Sequence, residues 1–284
     1  RVRPGLDDKI LTDWNGLMIA AMAKGAQVLD RPDWAEAAAE AARFVLTRLR
    51  DERGRLLHRY RDGEAAVPGM LDDYAFLIWG LLELYEASFE AGTLKTALEL
   101  ADNTIDHFLD EKDGGFFFTA DDGEEILFRQ KDSYDGAIPS GNSLIMLDLL
   151  RLSRITGRSD LERKAIGVSR AFARNIGQIP SAYSQLMVAL EFLAGPQFEI
   201  VVAGKPGAKD TQGMLDAVRR SFLPNRVLLL RPQGAGSGAI AAIAPYTKDM
   251  KAEGGRATAY VCRNFACAKP VRTVDKMLGL LKVP

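Results

Sequence analysis

The chain has 284 residues, 47% hydrophobic and 26% charged, with 37 Lys and Arg against 38 Asp and Glu for a formal charge of −1. This is ordinary globular composition, enough for one large domain or two smaller ones, and it excludes intrinsic disorder and collagen-like repeats. A nearly neutral chain has no global electrostatic reason to bind nucleic acid or an anionic membrane, and no apolar run reaches the about 18 residues of a membrane-spanning helix. Residue 1 is Arg with no secretory h-region after it, and two cysteines cannot build a dense disulfide framework. A cytoplasmic home is therefore the expectation.

Helices are predicted over 12–29, 33–50, 72–90, 94–109, 140–156, 160–175 and 181–194. Their starts carry capping or acidic residues, as at Thr12-Asp13 and Asp72-Asp73, or follow a proline, as at Pro32, Pro139-Ser140 and Pro180-Ser181. Segments 72–90, 140–156 and 181–194 are apolar nearly all round, whereas 33–50, 94–109 and 160–175 carry a single apolar stripe. A helix apolar on every side is buried, and a one-striped helix lies outside. The alternation predicts a mainly α fold with paired helices in two concentric layers, an α/α toroid or a stack of hairpins. Inner helices then start near 13, 72, 140 and 181, too unevenly for a short fixed-period repeat.

Two long connections each read as a β-hairpin. In 51–71, Leu56-Leu57-His58-Arg59-Tyr60 runs into the turn Arg61-Asp62-Gly63; in 110–139, Gly115-Phe116-Phe117-Phe118-Thr119 and Ile126-Leu127-Phe128 flank Asp121-Asp122-Gly123. The character changes after Gly195-Pro196. Strand 198–202, helix 208–222 and strand 226–230 form a βαβ unit, followed by a Gly- and Ala-rich loop over 232–257, a strand over 259–262 and a closing helix over 273–281. The expected organisation is a partial toroid over 1–195 with a small α/β segment over 196–284 packed on it.

Polar clusters precede or open each inner helix: Asp7-Asp8-Lys9 with Asp13-Trp14-Asn15, Asp72-Asp73-Tyr74, Asp132-Ser133-Tyr134-Asp135 with Ser140-Gly141-Asn142, and Ser181-Ala182-Tyr183-Ser184. In a toroid these helix starts gather at one end of the central cavity. Carboxylates, amides and aromatic faces are what a sugar-active site needs. Asp72 or Asp73 is the expected acid/base, with Asp135 or Asp8 opposite and His58 as an alternative proton carrier. Trp14, Tyr74, Tyr134 and Tyr183 are expected to stack on or position a sugar ring, Asn15 and Asn142 to bind hydroxyls, and Arg59 to contact substrate. Hydrolysis would require two carboxyl groups about 5 to 9.5 Å apart across the cavity. Beside this stands the plain reading that Asp and Ser at helix starts are caps and nothing more. His107, near a helix C-terminus, reads as structural.

No metal or cofactor is expected. Cys262 and Cys267 are four residues apart with no nearby His to complete a zinc site. They could form a disulfide or a redox pair, but two small, inert, partly buried thiols are the preferred reading. Gly204-Lys205-Pro206-Gly207-Ala208-Lys209-Asp210-Thr211 follows a strand, yet Ala208 separates Gly207 from Lys209 and breaks the phosphate-loop pattern.

Five ordered motifs carry a family resemblance. Asp7-Asp8-Lys9-Ile10-Leu11-Thr12-Asp13-Trp14-Asn15-Gly16-Leu17, His58-Arg59-Tyr60-Arg61-Asp62-Gly63, Leu71-Asp72-Asp73-Tyr74-Ala75, Ser140-Gly141-Asn142-Ser143 and Val261-Cys262-Arg263-Asn264-Phe265-Ala266-Cys267 resemble the thioredoxin-domain-containing family that includes spermatogenesis-associated protein 20. That resemblance implies an (α/α)6 toroid like those of six-hairpin glycosidases and N-acylglucosamine 2-epimerases, of which this chain would be the later part. It implies partners as well: an N-terminal thioredoxin-like domain and the first helical hairpins. A glycosidase- or epimerase-like action on a sugar is one functional expectation. The other is a non-catalytic scaffold that presents substrates to the thioredoxin-like domain, with Cys262 and Cys267 exchanging electrons with it.

Overall fold

The structure is a computed structural model and describes residues 1–124, 126–234 and 236–282. Its helical part grows from hairpins. α1 (Thr12–Leu29) pairs with α2 (Pro32–Arg48), α3 (Leu71–Ser88) with α4 (Ala91–Phe108), and α5 (Gly141–Thr156) with α6 (Ser159–Ala171). A short α7 (Ala173–Gln178) leads to α8 (Ser184–Ala194). α1, α3, α5 and α8 pack on one another in that order as an inner layer, with α2, α4 and α6 outside. This is part of an (α/α)6 toroid.

Burial follows the sequence pattern where neighbours exist. Every residue of α5 is buried, while α6 buries only Leu161, Ala165 and Val168. α1 and α8 depart from the expectation of fully buried inner helices: Trp14, Met18 and Val28 of α1 and Met187 and Val188 of α8 are exposed. They end the arc, so each has an inner neighbour on one flank only. α1 and α3 touch through glycines. A Cβ on Gly16 would lie 2.5 Å from the Phe76 carbonyl carbon, and one on Gly80 2.7 Å from the Gly16 oxygen. The two backbones meet at a distance that no side chain allows.

The hairpin in 51–71 forms as β2 (Leu57–Arg61) and β3 (Glu64–Pro68). A strand not expected from the sequence, β1 (Ile10–Leu11), adds to β2 with Ile10 opposite Tyr60. It ties the chain just before α1 to the sheet. The second expected hairpin does not form among the described residues of 110–139. Asn142 takes both polar groups of Phe116, accepting its N–H at 2.8 Å and donating to its carbonyl at 2.9 Å, and Arg129 takes the Thr119 carbonyl. Those groups are no longer free to pair with a second strand.

After α8 come β4 (Phe198–Gly204), α9 (Lys209–Arg219), β5 (Arg226–Pro232), α10 (Ser237–Ile243), β6 (Thr258–Arg263), β7 (Ala266–Cys267) and α11 (Val274–Leu280). The sheet order is β5-β4-β6-β7, with β4 and β5 parallel and the others antiparallel. α10 lies in the stretch expected to be loop; its small residues hide a short helix anchored by buried Ile240. Strand alternation divides the sheet's side chains. Val201, Val227 and Leu229 join the core of the helical arc, while Ile200, Val202, Leu228 and Leu230 pack with α9 and α11.

Buried charges fasten the sheet to the arc. Arg151 of α5 donates to Glu83 at 2.8 Å and to Glu86 at 3.3 Å, and Arg226 of β5 donates to Glu86 at 2.7 Å. Burial opposes ionisation of Glu86, but Arg226 and then Arg151 hold its carboxyl down at about 2. Arg219 of α9 donates to the carbonyls of Glu86 and Ala87, where a cation suits the C-terminal end of α3.

Candidate acid–base site

Asp73 is the point where α1, α3 and β2 meet. It occupies the third position of α3, and its Oδ2 accepts the Met70 N–H at 2.8 Å, closing the start of the helix. Its Oδ1 accepts the Asp13 N–H of α1 at 3.0 Å. His58 reaches down from β2 and sets Nδ1 2.9 and 3.1 Å from the two Asp73 oxygens. Asp13 turns its Oδ1 to the Trp14 N–H at 2.7 Å. One polar atom each from Asp13, His58 and Asp73 lies within 4.8 Å of the others. Asp73 gives both oxygens to backbone N–H groups and the imidazole, so this cluster is a hydrogen-bonded joint as it stands.

Asp72 is half-buried beside it and faces the Gly141 N–H at the start of α5. Gly141 makes that approach possible: a Cβ there would sit 2.4 Å from Asp72 Oδ1. Three inner-helix starts thus converge on two adjacent carboxyls. Burial, and then the negative charges of Asp73 and Asp13, push the Asp72 carboxyl up to about 7. Burial and the Asp73 charge also raise Asp13. The hydrogen bond to Asp73 raises His58 above its usual 6.5, against burial. The result is an accessible carboxyl that titrates near neutrality beside a hydrogen-bonded His58–Asp73 pair, and such a group can both give and take a proton at pH 7.

The other expected site residues lie apart from this cluster or have their polar atoms engaged. Asp135 is a clamp: its Oδ1 accepts the Ser140 N–H at 2.9 Å and its Oδ2 the Gln185 and Leu186 N–H groups at 2.8 and 3.1 Å. It caps α8 and fixes the approach to α5, which leaves no free oxygen for acid–base work opposite Asp72. Asp8 pairs with Arg61 at 2.7 Å on the exposed edge of the small sheet. Tyr74 is fully buried against Phe108, and its hydroxyl accepts from the Leu56 N–H at 3.0 Å, so its ring cannot face a sugar. Asn142 is fully buried and binds Phe116 and the Asp132 carbonyl in place of a hydroxyl. Asn15 donates to the Leu11 carbonyl at 2.7 Å.

Trp14, next to Asp13, is 61% exposed, and Tyr134 is 60% exposed; both rings are open to a ligand. Tyr183 and Arg59 are half-buried, and Arg59 alternates with His58 along β2 and so points to the other face of the strand. Asp13 is the member of the cluster that the sequence did not single out as an acid. It stood in a polar cluster, but nothing local showed that it would meet a residue 60 positions on. The cysteines also differ from expectation. Cys262 and Cys267 form a disulfide across the β6–β7 pair, because the tight turn between them sets the two residues directly opposite.

No protein-family model matches the chain. Human spermatogenesis-associated protein 20 is 36% identical over 291 residues, covering 99% of this chain and 37% of its own length. The chain thus spans little more than a third of the curated relatives it matches. Among solved structures, a GH76 alpha-mannanase of Bacteroides thetaiotaomicron superposes with a TM-score of 0.53 at 15% identity, covering 76% of this chain and 57% of that one. A cellobiose 2-epimerase of Spirochaeta thermophila gives a TM-score of 0.48 at 20% identity over 60% of this chain and 44% of its own. The first of these likenesses bears out the toroid. No helix among the described residues is long and apolar enough to cross a membrane.

Proposed function

From a chain homologous to part of spermatogenesis-associated protein 20 and folded as part of an (α/α)6 toroid, we propose a carbohydrate site at the starts of α1, α3 and α5, with Asp72 as its proton-transfer group. One observation carries this reading: Asp72 is a half-buried carboxyl at the meeting of three inner helices, raised to about 7 by burial and by Asp73 and Asp13. A general acid/base works best when it titrates near the working pH. His58 and Asp73 form a hydrogen-bonded pair beside it, and the exposed indole of Trp14 offers an apolar face for a sugar ring. That a mannan-degrading enzyme shares the fold supports a sugar as the ligand class. Epimerase-like or glycosidase-like chemistry would use Asp72 in the same role. Hydrolysis needs a second carboxyl across the sugar, and Asp135 is occupied as a clamp. In this reading the opposite wall and its acid would come from further helical hairpins packed along the exposed flank of α1, with a thioredoxin-like domain beyond them. A second reading, a sugar-binding or substrate-presenting scaffold without turnover, is favoured by the engagement of Asp135, Asn142 and Tyr74 in holding the fold.

Thermal-shift and calorimetric titrations with mono- and disaccharides test this, using this chain and a full-length relative side by side. A sugar-specific rise in melting temperature that disappears in Trp14→Ala is expected. Turnover by the full-length protein, lost in Asp72→Asn, would establish catalysis; binding without turnover would favour the scaffold. No shift with either protein would refute the carbohydrate site.

A further inference from the structure

The sheet edge holds a second piece of chemistry, remote in sequence from Asp72. β6 and β7 are joined by the two residues Asn264 and Phe265, and both have left-handed backbones, at φ 49° and 63°. Asn adopts that conformation readily, but Phe does so at a cost of about 1–3 kcal/mol. Three contacts hold Phe265 there. Its N–H donates to Glu199 Oε2 at 3.0 Å, its ring lies 5.3 Å from the Arg154 guanidinium, and it meets Tyr246 edge-on at 5.6 Å. The turn is thereby braced against the C-terminal end of α5 and sets Cys262 opposite Cys267.

The two sulfurs stand in different surroundings. Cys262 is 1% exposed, whereas β7, including Cys267, lies open to solvent on the free edge of the sheet. Glu199 of β4 is the direct cross-strand partner of Cys262, so Glu199, Cys262 and Cys267 share one face of the sheet on three successive strands. Glu199 is fully buried, with Oε1 lacking a hydrogen-bond partner and 3.7 Å from Arg154. An exposed sulfur that can be attacked, a buried sulfur that can leave and a buried carboxyl next to it are the parts of a thiol-exchange site.

We propose that Cys262–Cys267 is a reversible thiol–disulfide exchange site for a dithiol reductant, with Cys267 as the attacked sulfur and Glu199 as the group that exchanges a proton with Cys262. One thiol of the reductant loses its proton to solvent, and its thiolate attacks Cys267 Sγ. A reductant–Cys267 bond forms, the Cys262–Cys267 bond breaks, and its electron pair leaves on Cys262, which takes a proton from Glu199. The second reductant thiol, deprotonated in turn, attacks the reductant sulfur of the mixed disulfide. Cys267 leaves as a thiolate and takes a proton from solvent, Glu199 is reprotonated from solvent, and the reductant departs as its own disulfide. The protein gains two electrons and two protons, and the dithiol loses the same. Burial raises the Glu199 carboxyl above its ordinary range, which suits it to hold that proton. In the reverse direction the same carboxyl takes the Cys262 proton when the bond reforms.

The test uses the folded chain and dithiothreitol without denaturant, followed by rapid alkylation and peptide mass mapping. Complete reduction with unchanged far-ultraviolet circular dichroism is expected. In single-cysteine variants, Cys267 of Cys262→Ser should form a mixed disulfide with glutathione disulfide at least about 100-fold faster than Cys262 of Cys267→Ser, since exchange rate follows access and thiolate fraction. Glu199→Gln should slow reduction of the native disulfide and alter its pH dependence while leaving the labelling rate of Cys267 in Cys262→Ser unchanged. If the bond is reduced only after unfolding, or if the two single cysteines react alike, the site is a structural staple and the proposal falls. If Glu199→Gln leaves rate and pH profile as they were, its assignment as proton carrier fails.

Discussion

Asp72→Asn should make the protein more stable in alkaline solution. The folded carboxyl titrates at about 7 against an ordinary 3.8, because burial and the neighbouring Asp73 and Asp13 disfavour its charge. Between those two values the folded state holds a proton that the unfolded chain has lost. Its contribution to stability is therefore complete below pH 3.8 and is lost as pH rises to about 7, where the folded group ionises too. Each pH unit inside that window removes about 1.4 kcal/mol. From pH 5 to pH 8 the wild type should lose about 2–3 kcal/mol through this one group, after allowance for its partial exposure to water. Asn has the same shape, still offers an oxygen to the Gly141 N–H, and does not titrate. Urea unfolding of both proteins at pH 5, 6, 7 and 8 reads the effect as a difference, because the other titrating groups are present in both and only their coupling to Asp72 changes. The stability difference should move toward the variant from pH 5 to 7 and then level off. A difference that stays constant with pH, or that moves the other way, would refute the account of Asp72 as a carboxyl kept neutral by its surroundings.

Other perturbations probe the elements that position the site. Gly16→Ala should lower stability by about 1–3 kcal/mol in urea unfolding, since its methyl would drive into the Phe76 backbone and part α1 from α3. Glu86→Ala should cost about 3–5 kcal/mol, because it leaves Arg151 and Arg226 buried with their shared partner gone; an unchanged melting curve would show that water reaches the network. Asn142→Ala strands the Phe116 N–H and the Phe116 and Asp132 carbonyls, and limited proteolysis should then cut around Phe116 faster than in the wild type. In nuclear magnetic resonance titrations the His58 ring should ionise above 6.5 in the native protein and fall back in Asp73→Asn. Its stabilising contribution is complete below 6.5 and is lost as pH rises through that higher value.

Much of the architecture was legible because it depends on spacing within single segments. Apolar residues all round 140–156 require burial on every side, and α5 has it. The single stripe of 160–175 requires an outer position, and α6 takes it. The strand–helix–strand pattern after Pro196 folds as β4, α9 and β5. The Asp72-Asp73 pair was legible as a helix start and as a candidate acid/base for the same physical reason: carboxylates suit the positive end of a helix, whatever else they do.

Tertiary structure decided which of those polar groups stay available. Asp73, Asp135 and Asn142 are all polar residues near inner-helix starts, yet Asp73 joins three elements, Asp135 caps α8, and Asn142 holds the Phe116 loop that sequence alone read as a hairpin. Asp72 differs by its setting. It lies one residue before Asp73, half-buried beside a glycine 69 positions further on, whose missing side chain lets it approach α5. The disulfide was decided in the same way, by a turn whose backbone places Cys262 opposite Cys267. Periodicity records which face of a segment must be buried. The carboxyl that keeps its proton and the thiols that meet depend on neighbours distant in sequence or on a turn geometry that only the folded chain fixes.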